Sequence, residues 1–262
     1  MAASYLNLIA LARYRDEMKQ NYLIPPFKIL AVLLVVALLA LPASPALAND
    51  TGLHMPWYGS TIPHSQSNRG WIQTIYLHTP GEPYSLVYLG TVGDVSEHLV
   101  ASGFRLAIPS GSTINGIEVV VKRYANGGGV RDHQVRLAMG FDNVFPTDRA
   151  DTLNDWPSGP SNFQSKTYGG PNDLWGRTWT AEELNAMEFS AALSAMRTAP
   201  SSSGTDHMAT VDTIQVRAYY TLPATTTTVA CGNGTLVYGS GLTCVATVTG
   251  SAGSNTPTGT VG

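Results

Sequence analysis

Charged side chains are scarce in this chain, at 13% of 262 residues, which argues against a fold built from amphipathic helices laced with ion pairs. Basic charge is scarcer still. The net charge is −3, and −5 once residues 1–48 are set aside, so neither nucleic acid nor an anionic membrane surface is expected as a partner. The local marks of common catalytic sites are missing too: there is no HExxH, no i, i+4 histidine pair, no GxSxG nucleophile elbow, no P-loop and no dinucleotide fingerprint. Asp132-His133 and Asp206-His207 are adjacent pairs, but neighbours on a strand point to opposite faces and cannot serve as a base and its orienter. Paired carboxylates for glycoside hydrolysis need no local motif, so Asp132 and Glu118 stay open as candidates for that chemistry.

The clearest positive signal lies at the N-terminus. Lys28 precedes an apolar run from Ile29 to Leu41, followed by Pro42, Pro45 and the small-residue pattern Ala46-Leu47-Ala48. The run is shorter than the ~18 apolar residues that a membrane span requires. It reads as a signal peptide over residues 1–48, cleaved between Ala48 and Asn49, with Met18-Lys19 as a natural basic start. No cysteine sits near the cleavage point, which argues against a lipoprotein anchor. The expected destination is secreted, extracellular or cell-surface, with no membrane attachment after cleavage.

Residues 49–68 show no clear period and read as an extended lead-in. From Trp71 onward short segments alternate with period two, as strands with one buried and one wet face do. Phe104, Leu106 and Ile108 alternate with Arg105 and Ala107; Ile117, Val119 and Val121 share one face of the next run. Asn126-Gly127-Gly128-Gly129 then suits positive φ, and Val135, Leu137 and Met139 alternate on the return, so a β-hairpin is expected over residues 117–139. Thr180-Ala181-Glu182-Glu183 has capping-box spacing for a short helix. Strand patterns resume at Phe189, Ala191, Leu193 and Ala195, and again at Ile214, Val216 and Ala218, with the domain ending near Thr221. Many short strands with 26 Gly, 16 Pro and no βαβ alternation predict an all-β fold, an antiparallel β-sandwich of jelly-roll or Greek-key type.

The segments SGFRLAIPSGSTINGIEVVVKRYANGGGVRDHQVRL, YGGPNDLWGRTWTAEELNA and VDTIQVRAYYT resemble successive parts of a β-sandwich module found in bacterial secreted and phage-associated proteins, over residues 69–221. The resemblance implies the fold and an extracellular setting, and carries no catalytic residues with it.

Two clusters are candidate sites. Trp156, Tyr168, Trp175 and Trp179, interleaved with glycines, would offer flat rings to a sugar if exposed, or would cap the end of the core if buried. Asp142, Asp148, Asp151 and Asp155 lie on an acidic stretch that could gather oxygens round a structural calcium, the one cofactor considered, or could simply be solvated.

Beyond Pro223 the chain changes to Thr and Val runs broken by Gly, ending in TPTGTV, and residues 223–262 resemble the start of a bacterial Ig-like repeat of the group 3 kind. An Ig-like sandwich needs about 100 residues, so residues 222–262 are expected to be an incomplete domain. Both cysteines fall here, in a chain bound for an oxidising compartment, and a Cys231–Cys244 disulfide is expected.

Three functions compete on this reading. The leading one is a non-catalytic structural or adhesion module of a larger surface protein, meeting a cell-surface glycan or another surface protein. The others are a carbohydrate-binding module using the loop aromatics, and a non-catalytic fragment of an extracellular hydrolase.

Overall fold

The computed structural model describes residues 48–140, 143–159, 162–200, 207–231 and 244–250. The apolar run at 29–41, Asp142, Asp206 and the TPTGTV segment lie outside the described residues, and with them the expected signal helix.

The chain is mostly β, in antiparallel sheets. One five-stranded sheet, A, is built from β1 (Ala48–Asp50), β3 (Ser85–Tyr88), β5 (Thr113–Asn126), β8 (Gln164–Gly170) and β10 (Met208–Thr221). A second, B, runs in the order β2 (Tyr58–Ile62), β4 (His98–Ser102), β9 (Phe189–Arg197), β6 (Val130–Met139), β7 (Asn143–Val144). In sheet A the order is β1-β10-β5-β8, and β3 shares with β1 the same long partner, β10. A separate two-stranded sheet joins β11 (Thr225–Cys231) to β12 (Cys244–Gly250).

The alternation does what the sequence requires of it. Val121, Val119 and Ile117 lie opposite Ile214, Val216 and Ala218 in sheet A, and Leu99 and Ala101 lie opposite Leu193 and Ala191 in sheet B, beside Val135 and Leu137. All of these side chains meet in one hydrophobic cluster. Burying each large aliphatic one stabilises the fold by about 1.5–3 kcal/mol.

Three expectations need correction. The runs at 117–124 and 130–139 do not pair with each other: β5 belongs to sheet A and β6 to sheet B, so Gly127, Gly128 and Gly129 turn an arch between sheets and not a hairpin within one. All three have positive φ, and a Cβ on Gly129 would stand 2.9 Å from the Cβ of Ala199, so the sharp turn and the close approach both call for glycine. Period-two alternation fixes which side chains face the core, and two facing strands of opposite sheets satisfy it as well as two neighbours in one sheet.

The Phe104–Ile108 stretch buries the expected side chains yet is not a strand. Gly103, Arg105 and Ala107 all take positive φ, so the burial alternation comes from alternating backbone handedness. The lead-in at 49–68, finally, is stitched into both sheets. It supplies edge strands β1 and β2, and His54 bridges Val216 between them.

The short helix α1 (Ala181–Asn185) forms where its cap predicts. The Glu183 amide donates to Thr180 Oγ1 (3.1 Å) and the Thr180 amide to Glu183 Oε2 (2.9 Å). Among the described residues no helix is long and apolar enough to cross a membrane.

Candidate functional site

The four candidate aromatics are buried, at 2% (Trp156), 3% (Tyr168), 2% (Trp175) and 6% (Trp179) exposure, which removes the ring faces that a sugar would stack on. Each polar tip is spent inside the protein. Trp175 Nε1 donates to the Ile117 carbonyl (2.9 Å), in space that only Gly169 leaves open, since a Cβ there would lie 2.6 Å from that nitrogen. Trp179 Nε1 donates to the Leu174 carbonyl (2.9 Å), its ring edge-on to Phe145 and Phe189 with the Arg177 guanidinium over its face.

Trp156 and Tyr168 serve a feature that the sequence did not announce. Arg123 of β5 and Asp132 of β6 form an ion pair between the two sheets with both side chains buried. Asp132 also accepts from Trp156 Nε1 (2.8 Å), the Tyr168 hydroxyl (2.8 Å) and the Asp151 amide (2.9 Å), while the Arg123 guanidinium lies over both rings. Burial pushes the Tyr168 phenol up and pulls the Arg123 guanidinium down from their ordinary values. A bulge between Asp132 and Gln134 makes this geometry possible. It keeps Val130 and Asp132 facing inward, shifts the phase by one residue, and lets Val135 and Leu137 face inward as well. Glu118, the other carboxylate considered for hydrolysis, accepts from the Tyr219 hydroxyl (3.1 Å).

The acidic residues that are described go to separate partners. Asp148 accepts from the Val135 and Ala150 amides and faces Arg136. Asp151 accepts from Lys166 (2.6 Å), the bond that contributes most to holding its carboxyl below the usual range, and from Asn154. Asp155 pairs with Arg131 (2.6 Å). Among the described residues no three such side chains gather as a metal site, and Asp142, the fourth residue considered for calcium, lies outside them.

The predicted cleavage point between Ala48 and Asn49 falls within β1, whose backbone pairs with the end of β10. The ladder of β11 and β12 sets Cys231 directly across from Cys244.

Two other sites come together on the outer face of sheet B. His64, His98 and His133 gather there, with ring centroids 4.5 Å apart for the first pair and 5.4 Å for His64 and His133. Burial holds His98 down to about 4, helped by its histidine neighbours and Arg136 and opposed by its bond to Gln134 (2.7 Å). Toward the opposite end of that face lies a hollow of about 430 Å³ lined by Tyr58, Gly59, Ser60, Ser102, Gly140, Met187, Glu188 and Ser190. At its edge Trp57 and Tyr58 are 54% and 53% exposed, and Arg105 covers one face of the Trp57 ring at 4.3 Å. No family model matches the chain, and no curated protein compared with it is significantly similar. Function rests on the geometry.

The lead-in hid the Trp57 and Tyr58 signal. Two adjacent aromatics in a segment without period give no face to read, and only the pairing of Tyr58 with Ser102 places that ring on the outside of sheet B.

Proposed function

We propose that this chain is an exported, non-catalytic structural or adhesion module, a jelly-roll β-sandwich followed by the opening strands of an Ig-like repeat in a larger surface protein. Two stacks of strand order, β3-β10-β5-β8 and β4-β9-β6-β7, support the jelly-roll reading, because successive strands alternate between the stacks except at β6 and β7. The observation that carries the functional reading is the fate of Asp132. This carboxylate, one of the two considered for hydrolysis, is sealed in the core, where it joins the sheets by accepting four donors, and a sealed group does not meet substrate. The paired β11 and β12, with Val229 and Val245 exposed, suit a chain that continues into further strands.

Export and inertness are tested together. Antibody labelling and protease shaving of intact host cells should find the chain at the surface or in the medium, beginning at Asn49. The purified chain should turn over no member of a polysaccharide and ester panel. Retention inside the cell, or turnover above the buffer rate, refutes the proposal.

A further inference from the structure

We infer that the hollow on the outer face of sheet B, walled by Tyr58 and Met187, binds a neutral saccharide; this deepens the adhesion reading and rests on it. The placement follows from register. Tyr58, Ser102, Ser190 and Ala138 lie opposite one another across β2, β4, β9 and β6. Their sequence neighbours Ala101, Ala191 and Leu137 belong to the core cluster, so this row faces outward. Small side chains along the row leave a floor, and the larger Tyr58, Met187 and Glu188 stand at its margin. Gly103 sets the wall. A Cβ on it would lie 3.1 Å from Met187 Cε, 3.1 Å from Trp57 Cβ and 3.4 Å from Tyr58 Cδ2, so the three side chains close on a position with no room for one of its own.

The chemistry of the lining selects the ligand class. Its volume of about 430 Å³ is within the range of small-ligand sites. Among the described residues, the hydroxyls of Tyr58, Ser60 and Ser102 and the carboxylate of Glu188 make no hydrogen bond within the protein, so all four are open to a ligand. A half-exposed aromatic ring beside several hydroxyls and one acceptor carboxylate complements a sugar, which has an apolar C–H face and a rim of hydroxyl donors. The charge excludes an acidic ligand. Glu188 repels it, and no Lys or Arg is among the residues that line the hollow. The hollow of about 340 Å³ at the other end of the face, by His64, His98 and Arg136, is less open to a ligand, for these three side chains already have partners in the protein.

The test is titration of the full-length chain with neutral oligosaccharides (gluco-, xylo-, manno- and chito-oligomers) and with uronate oligomers, read by calorimetry and tryptophan fluorescence. Saturable binding of a neutral oligomer is expected, weakened tenfold or more by Tyr58→Ala and several-fold by Glu188→Gln, and unchanged by Leu153→Ala, an exposed control outside the lining. Thermal unfolding of each variant separates loss of ligand from loss of fold, and Ser60→Tyr, which fills the hollow from its rim, provides a second block. No binding across the neutral panel, binding of uronates alone, or binding indifferent to Tyr58→Ala and Ser60→Tyr overturns the inference. A chain that binds nothing and cleaves nothing loses this site but remains a structural module. A chain that binds through Tyr58 and cleaves what it binds keeps the site and loses the non-catalytic reading.

Discussion

Asp132→Ala is the substitution that the fold should tolerate least. It strips the buried Arg123 guanidinium of its counter-charge and leaves Trp156 Nε1, the Tyr168 hydroxyl and the Asp151 amide without their acceptor. Breaking a buried ion pair from one side costs about 3–5 kcal/mol. Each stranded donor adds desolvation of its own, about 1–3 kcal/mol taken singly and less when summed, since the groups share one pocket. Against a typical domain stability of about 5–15 kcal/mol, a loss near 5 kcal/mol leaves the domain marginal or unfolded. Urea unfolding followed by tryptophan fluorescence measures it directly, because Trp156 reports from inside the network. The double variant Arg123→Met, Asp132→Leu removes both charges and replaces them with apolar volume, and should recover the part of the loss that the unpaired guanidinium causes, while the three donors stay without their acceptor. A single-variant cost below about 1 kcal/mol, or a double variant no better than Asp132→Ala, would refute the view that this pair clamps the sheets.

Two further outcomes are expected. His98 is held at about 4 in the folded chain against 6.5 for the unperturbed group, so the unfolded state takes up its proton first. Stability should be full above about pH 6.5 and fall by about 3 kcal/mol as the pH drops toward 4, with His64 and His133 acting in the same direction; a urea midpoint unchanged between pH 7.5 and 4.5, or a slope that His98→Asn does not flatten, would contradict this. With Cys231 opposite Cys244 in the ladder, oxidised chain should resist thiol alkylation until reduced, and the bridge should contribute about 3 kcal/mol to the hairpin; two thiols labelled without reductant would show that no bond forms.

The sequence made the strand faces legible, because each alternation of Ile, Val and Leu with polar residues is a local property that the core then obeys. The capping box at Thr180 was legible for the same reason: all its partners lie within three residues. Pairing was not legible. Whether Val119 faces a neighbour in its own sheet or one across the core depends on the path of Gly127–Gly129, and a glycine run permits either. The aromatic cluster failed as a candidate site on similar grounds, since the exposure of Trp156 is decided by Asp132 and Arg123, each far along the chain from it. One trace of the buried clamp was present in the sequence. Val130 and Asp132 are out of phase with Val135 and Leu137, and a strand that must keep both pairs inward needs an extra residue between them, which is His133.

The position of β10 has a kinetic consequence. Among the described strands, β1 and β3 pair with β10 alone, and β5 takes its longest pairing there, so sheet A has no centre until residues 208–221 have been made. Sheet B waits similarly on β9, which joins β4 to β6. Hairpins that could close early and cheaply are nearly absent from the two large sheets, and chains dominated by such distant pairings fold on the scale of milliseconds to seconds. Until β9 and β10 are made, only β2 with β4, β5 with β8 and β6 with β7 have a described ladder partner, and the remaining edges stay exposed throughout that interval to any other strand edge they meet.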